Sequence, residues 1–178
     1  ALYLRARSGR VPGNDISFLH KALNTNHKGQ WEQDLAAAWL AATYKIIKKD
    51  EEARALFSKL KIGENTDPDY DYFYDGFVRD TTTIFLAARH FPELLKDFTS
   101  DAAMAKAFSP LERGYYNTHS AAFSILALEA IFSVAAKAEN ISQLKVEEIQ
   151  SKGVAKSIAL PGGVVMPTVG FSDAAEKI

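Results

Sequence analysis

The chain has 178 residues, of which 47% are hydrophobic and 24% are charged, proportions that are ordinary for a globular protein with a real core. Its formal net charge of −1 creates no overall field that would favour nucleic acid or an anionic membrane. The absence of cysteine excludes disulfides and thiolate chemistry within these residues, and no stretch approaches the roughly 20 apolar residues that span a bilayer.

Hydrophobic periodicity predicts helices through the first three quarters of the chain. Apolar residues recur there at intervals of three and four, which places them on one face of a helix. The predicted helices cover residues 15–24, 31–48, 51–60, 78–90, 92–98, 101–108 and 117–138. Residues that can cap a helix N-terminus precede three of them: Asn14 or Asp15, Asp50, and Asn117 or Thr118.

The last of these helices, residues 117–138, is the most apolar. Almost every residue from Ala121 to Ala136 is small or hydrophobic, so the helix has no clearly polar face. A helix of this kind is usually packed on more than one side. We therefore expect it to lie within a core.

An acidic, tyrosine-rich connection at residues 64–77 separates two predicted helices. Tyr70, Tyr72 and Tyr74 stand at alternate positions among acidic neighbours. Exposed tyrosines of this kind make good protein-contact surfaces, although such a loop can also fold its rings over helix ends. These three residues form our candidate protein-contact loop, with structural packing as the alternative.

The periodicity changes after Asn140. Residues 144–149 and 154–160 alternate as strands do, although 145–148 also fit one helical turn. Proline and glycine at 161–163 interrupt the chain, and residues 164–171 are predicted to be extended. We therefore predict a helical domain over 1–140 and a β-strand segment of a second domain over 141–178.

A weak internal repeat links three of the predicted helices. The small, apolar pattern that starts at Trp39 returns at Phe85 and at Ile125, with spacings of 46 and 40 residues. This is the length of a helical hairpin with its connection, the unit of α-solenoids and α/α toroids. A tetratricopeptide-like scaffold is a further alternative, although its repeats would be closer to about 34 residues.

Three segments resemble the bacterial α2-macroglobulins. Residues 116–130 are similar to the final helix of that family's thioester domain, where an aromatic residue or serine precedes Ser/Thr-Thr-Gln and a small-residue helix. Residues 31–42 and 79–92 also fit the bacterial members. In that family the helical toroid runs into a CUB-like β-domain, which agrees with the change near residue 140. His119 departs from the pattern, since the family usually has Gln there.

The resemblance implies a mainly α fold: helical hairpins of part of an α/α toroid, followed by a few β-strands. It implies a non-catalytic structural and interaction module of a protease-trapping protein, for host-protease inhibition and periplasmic defence. Expected partners are proteases and other domains of the same larger protein, with no nucleic acid, no cofactor and no direct membrane insertion by these residues. The family is periplasmic and often anchored to the inner membrane by a lipid, through a part not in this chain.

Two further expectations concern the rest of such a protein. The chain starts within a helical pattern and stops without a tail, so we interpret it as an excised fragment. Some family members carry a reactive thioester built from a Cys-x-Glu-Gln motif early in the toroid. The absence of cysteine here does not decide whether the whole protein has that motif.

The four histidines are not spaced as metal ligands. We expect structural roles for His20 and His90 within helices, and a solvated position for His27. His119 adjoins Ser120, which suggests a base beside a nucleophile. Neighbours on a helix point about 100° apart, however, so this pair is not expected to be catalytic.

The carboxylates provide the main enzymatic alternative. An α/α toroid with two inward carboxylates would resemble a glycoside hydrolase, and Asp75 and Asp80 are the best pair for that chemistry. Asp80, however, falls at the start of the helix predicted over 78–90, where the helix dipole alone favours a carboxylate. We therefore predict that no residue of this chain is catalytic.

Overall fold

A computed structural model describes residues 1–63, 75–137, 146–159 and 170–177. Within these ranges eight helices precede a small antiparallel sheet, which confirms the predicted mainly α class followed by a few strands. The helices are α1 (Leu2–Arg7), α2 (Gly13–Asn26), α3 (Leu35–Ile46), α4 (Asp50–Phe57), α5 (Gly76–His90), α6 (Leu95–Phe98), α7 (Asp101–Glu112) and α8 (Thr118–Lys137). The strands are β1 (Val146–Gln150), β2 (Val154–Ile158) and β3 (Ala175–Lys177).

The chain forms two compact units, Ala1–Leu128 and Glu129–Ile178. The described part of α8 ends at Lys137 and β1 begins at Val146, and the predicted boundary near residue 140 lies between them, outside the described ranges. The predicted division into domains 1–140 and 141–178 therefore stays a prediction.

Several helix ends differ from the predicted ones. The helix predicted over 31–48 is a 3-10 turn at Trp31–Gln33 followed by α3, because Asp34 interrupts it and caps α3. The Asp34 carboxylate accepts a hydrogen bond from the Leu35 amide at 2.6 Å, one of the amides that a helix start leaves unpaired.

Two predicted caps are wrong for the same reason. α2 begins at Gly13, so Asn14 and Asp15 lie inside its first turn and no side chain caps it. α4 begins at Asp50 itself, where the acidic side chain still suits the positive end of the helix dipole. A carboxylate beside a helix start is favoured at several neighbouring positions, so sequence does not choose among them.

α7 is longer than predicted because its proline does not end it. The helix runs to Glu112 with Pro110 inside its last turn, where the sequence predicts an end at 108. Proline removes one amide donor and its ring crowds the carbonyl four residues earlier, but it does not prevent later residues from donating. The residues beyond it still donate to the helix: the Arg113 amide bonds the Ser109 carbonyl at 3.3 Å, and the Tyr115 amide bonds the Pro110 carbonyl at 2.8 Å.

The core of the first unit is centred on α5, which is buried continuously from Phe77 to Ala88. α5 packs against α3, α6 and α7, and α3 in turn packs against α1 and α4. Small, fully buried side chains of α3 allow its neighbouring helices to approach it closely: Ala37, Ala38, Ala41 and Ala42. Behind them Phe57 and Phe91 stack with ring centroids 4.1 Å apart, and both are 0% exposed.

The expectation that the 117–138 helix lies within a core is wrong for the described structure. The buried positions of α8 include Ser120, Ser124 and Ala127, whereas Ile125 is 68% exposed and Phe132 is 37% exposed. The apolar pattern shows that the helix needs partners. It does not show whether those partners lie within the same 178 residues.

The apolar helix α8 also bears on whether the chain contains a segment able to span a membrane. Within the described residues, Thr118–Ala135 has a mean hydropathy of 1.4, and by length and composition alone it is long and apolar enough to cross a bilayer. The composition argument against any such stretch is therefore wrong. Core helices of soluble proteins meet the same criterion, so the prediction of no membrane insertion stays a prediction.

The second unit contains a three-stranded sheet with the order β2-β1-β3. β1 and β2 form an antiparallel hairpin in which Val146 pairs with Ile158 and Gln150 with Val154. Gly153, at φ 74°, closes the three-residue turn between them, as glycine commonly does in such turns. Within the described residues, these strands confirm the predicted strands at 146–149 and 154–158 and exclude the helical alternative for Val146–Gln150.

The third strand was not predicted, because Ala175–Lys177 is short and its composition favours helices. It pairs with β1 with a shift in register between Ile149 and Gln150. Most of the extended segment predicted at 164–171 lies outside the described residues.

Glu148 connects β1 to the segment before β3 and is only 1% exposed. Its carboxylate accepts hydrogen bonds from the Ser172 backbone amide at 2.9 Å, the Ser172 hydroxyl at 2.9 Å and the Gln150 side-chain amide at 2.7 Å. These bonds, led by that of the Ser172 amide, lower the pKa of Glu148 to about 2. Because the folded pKa is depressed, the bonds contribute full stability above the ordinary pKa of 4.5, and this is lost as pH falls through about 2.

We expect the Ser172 amide proton to report this ionisation. In the wild-type chain its NMR chemical shift should titrate with a midpoint near pH 2, and Glu148→Gln should remove the titration. Glu147→Gln, at the neighbouring position, is the control and should leave the Ser172 midpoint unchanged. A wild-type midpoint near 4.5 would contradict the proposed role of Glu148.

Candidate functional site

The predicted contact loop and the predicted carboxylate pair have different outcomes. Tyr70, Tyr72 and Tyr74 lie outside the described residues, so the contact-loop prediction is untested. Asp75 is the N-cap of α5, and its side chain accepts a hydrogen bond from the Val78 amide at 2.8 Å. This structural role accounts for a carboxylate at that position without any chemistry.

Asp80 has a different role from the one that its sequence position suggests. It lies in the second turn of α5, is 5% exposed and uses both carboxylate oxygens. One oxygen accepts from the Arg79 guanidinium at 3.1 Å and the other from the Gly63 amide at 2.8 Å. The buried ion pair with Arg79, rather than the helix dipole, therefore accounts for a carboxylate at position 80.

Arg79 is the centre of this buried cluster and is itself 2% exposed. Its guanidinium donates to the Gln33 carbonyl at 3.2 Å and the Lys61 carbonyl at 2.5 Å, in addition to Asp80. The cluster thus joins α5 to the turn before α3 and to the segment after α4. Because all these groups are hydrogen-bonded to one another, the cluster is suited to holding the helices in register rather than to binding a substrate.

The electrostatics of Asp80 agree with a structural role. Burial raises the pKa of its carboxyl to about 6, although the Arg79 charge and the Gly63 amide both act to lower it. A raised pKa of this size is compatible with a general acid, as in glycosidases. A glycosidase, however, also needs an unoccupied carboxylate opposite, and Asp75 is engaged as a helix cap.

Two histidines bond tyrosines inside the first unit, the structural role that we expect for them. His20 Nδ1 lies 2.8 Å from the Tyr44 hydroxyl, and His90 Nε2 lies 2.8 Å from the Tyr3 hydroxyl. Burial, followed by nearby positive charges, lowers the pKa of His90 to about 4, so it is neutral at pH 7. Tyr3 also contacts Trp39 edge to face, with ring centroids 4.7 Å apart.

The other two histidines, His27 and His119, lie at the surface. The hydroxyl of Ser120, which adjoins His119, is hydrogen-bonded to Asn117 at the start of α8. It donates to the Asn117 carbonyl at 3.1 Å and accepts from the Asn117 amide at 2.9 Å, while the Asn117 side chain accepts from the Ser120 amide at 2.9 Å. This reciprocal pattern is a capping box. It uses the hydroxyl proton that a nucleophile would surrender to a base, and His119 instead packs its ring against Phe123.

Within the described ranges no group of three or more histidine, aspartate or glutamate side chains is placed to hold a metal ion.

The first unit does contain an apolar groove of about 720 Å³, a volume within the range of ligand sites. Its lining comes from α1, α2, α3, α5 and the start of α8 and includes Tyr3, Trp39, Phe85 and Leu126. Sequence reasoning missed this groove, because its walls are far apart in the chain.

The comparisons with known proteins point to one family. The chain is 32% identical over 160 residues to an α2-macroglobulin homolog of Yersinia pestis, which covers 86% of this chain. It is 30% identical to an α2-macroglobulin of Pasteurella multocida over 89% of the chain, and 29% identical to one of Rickettsia conorii over 93%. The chain spans about 8% of the length of these curated relatives.

No family model matches the sequence, and no solved structure matches it. The three relatives nevertheless agree in name, in level of identity and in covering most of the chain. Each match covers at least 86% of this chain, so one short segment of biased composition does not explain them. The chain therefore belongs to the bacterial α2-macroglobulin family, of whose members it represents a short part.

Proposed function

We propose that this chain is a non-catalytic structural and interaction module of a protease-trapping α2-macroglobulin. The observation that carries the proposal is the similarity to three relatives of that name over most of the chain. The commitment of Asp75 to a helix cap and of Asp80 to a buried ion pair supports a non-catalytic role. A glycoside hydrolase on a related toroid is not favoured.

The finer assignment follows the family resemblance. The helical unit would be the last part of the thioester-domain toroid, and the sheet would be the start of the CUB-like β-domain. The module would work mechanically, as a stiff helical body that moves when a protease cuts the protein elsewhere. Its partners would be proteases and neighbouring domains, in the periplasm, with lipid anchoring through another part of the protein.

The proposal predicts a specific behaviour of the full-length protein. A protease incubated with it should lose activity on a large protein substrate but retain it on a small peptide, because only small molecules reach an enclosed enzyme. Arg79→Leu should abolish this protection, since it removes the buried cluster that joins three segments of the module. The ratio of the two activities is the measurement.

Asp75→Asn is the matched control. Asparagine caps helices as well as aspartate does, so this variant should fold and protect normally. If the chain of residues 1–178 hydrolysed glycans, and Asp75→Asn abolished that activity while retaining the wild-type thermal unfolding, the non-catalytic role would be refuted.

A further inference from the structure

The apolar groove of the first unit is open to solvent and exposes large hydrophobic side chains. Leu4 is 65% exposed, Leu19 38% and Leu126 42%, and all three line it. Next to them in sequence, Phe18 is 77% exposed and Ile125 is 68% exposed. Exposed apolar side chains that line an open groove are typical of a protein interface, whereas small ligands are usually enclosed.

Two arginines give the groove a charge. Arg7 and Arg89 line it, and their guanidinium carbons lie 5.9 Å from the ring centroids of Tyr3 and Phe85 respectively. Among the described residues neither guanidinium lies within ion-pair distance of a carboxylate, whereas nearby Arg5 pairs with Asp15.

The local excess of positive charge lowers the pKa of a neighbouring histidine. After burial, the charges of Arg89, Arg7 and Lys45 lower the pKa of His90. Of these cations, Lys45 is neutralised by Asp50 at 2.7 Å. Arg7 and Arg89 are exposed, so both guanidinium groups are available to a partner, and the planar guanidinium suits a carboxylate.

The apolar lining and the two arginines indicate what kind of partner would fill the groove. Ridges of a helix pack well into a groove formed between helices, with apolar side chains at intervals of three and four residues. The relatives are about twelve times longer than the region that they share with this chain, since that region is about 8% of their length. Most of the polypeptide that could supply such a helix therefore lies outside the matched region.

We propose that the groove is the docking site for an amphipathic helix from another part of the same longer polypeptide, with its apolar stripe against Trp39 and Leu126 and its aspartate or glutamate side chains paired with Arg7 and Arg89. This rests on the proposed function in one respect, namely that the chain is an interaction module of a larger protein. It adds the identity of the surface and the chemistry of what covers it.

The test uses two fluorescein-labelled amphipathic peptides of about 18 residues, long enough to hold helical structure when bound. Both carry leucine at helical spacing, and they differ only in having glutamate or glutamine beside the apolar stripe. Fluorescence anisotropy with residues 1–178 should show that the glutamate peptide binds about five- to tenfold tighter at low salt. Added salt should narrow the difference, because it screens exposed charges.

Variants assign the difference to the groove. The double variant Arg7→Gln and Arg89→Gln should bind both peptides equally, whereas Arg113→Gln, an exposed arginine of the connection after α7, should behave as the wild type does. Leu126→Asp should weaken both peptides, because it places a charge in the apolar lining. Circular dichroism checks that each variant is folded.

Several outcomes would overturn the proposal. Equal affinity of the wild-type chain for both peptides would remove the role of the arginines, and no binding of either would remove the docking site. Self-association that disappears in the double arginine variant would show that a second copy covers the groove. Displacement of the peptide by micromolar laurate would instead identify a lipid site. None of these outcomes bears on protease trapping, which the substrate-size assay tests separately.

Discussion

Replacing Arg79 with leucine should lower the free energy of unfolding of the first unit by about 3–5 kcal/mol at pH 8. The substitution keeps an apolar side chain in place but leaves the Asp80 carboxylate buried at 5% exposure without its cation. It also removes the donors to the Gln33 and Lys61 carbonyls. Breaking one side of a buried pair costs far more than the pair itself contributes.

The loss should depend on pH in a defined direction. The pKa of Asp80 is raised from 3.8 to about 6 in the folded chain, so the folded state binds this proton more tightly and stability falls as pH rises from about 4 to 6. Without the Arg79 charge, which acts to lower it, the pKa of Asp80 should rise further. The variant's deficit should therefore be smaller at pH 5, where Asp80 is neutral, than at pH 8.

Urea unfolding at the two pH values, followed by circular dichroism, measures both effects. Arg113→Leu provides the control, because among the described residues the Arg113 guanidinium bonds only Ser109, at the exposed end of α7, with its hydroxyl at 2.9 Å. We expect this control to cost less than about 1 kcal/mol, with little dependence on pH. If the Arg79 deficit were equally small, or grew at pH 5, the buried cluster would not have the structural role assigned to it.

Replacing Phe91 with alanine should cost about 3–5 kcal/mol. Phe91 is 0% exposed, lies against Phe57 with an interplanar angle of 20°, and is the C-cap residue of α5. Removing its ring leaves a cavity beside Phe57 of α4, and dense packing leaves little freedom for neighbours to fill it. The measurement is again the free energy of unfolding in urea.

Phe18→Ala is the matched control, since Phe18 is 77% exposed and its removal should change stability by less than about 0.5 kcal/mol. A double-mutant cycle with Phe57→Ala isolates the contact between the rings, for which we expect a coupling of about 0.5–1.5 kcal/mol. An uncoupled pair would mean that the two rings stabilise the unit independently.

The positions of helices were predictable because helical periodicity is a local property. The stripes of α3, α4 and α5 and the strands β1 and β2 all lie where the sequence places them, within a few residues. Their ends were less predictable. Asp34, Asp50 and Pro110 can each begin, interrupt or end a helix, and the choice depends on what the neighbouring turn contacts.

Burial was not predictable in the same way. α8 has the most apolar sequence but exposes Ile125 and Phe132, whereas α5 carries Arg79, Asp80 and three threonines and is the central helix. Hydrophobicity reports how much a helix gains from a partner. It does not report which partner is present.

The same distinction between local sequence and tertiary structure holds for the functional features. The family was identified from the sequence by a resemblance, which rests on residues 31–42, 79–92 and 116–130 and on the order of helices and strands, and the three relatives confirm it. The buried pair of Arg79 and Asp80 and the apolar groove needed the tertiary structure. Their partners come from segments far apart in the sequence, and only packing brings Lys61 to Arg79 or Leu126 to the groove of Tyr3.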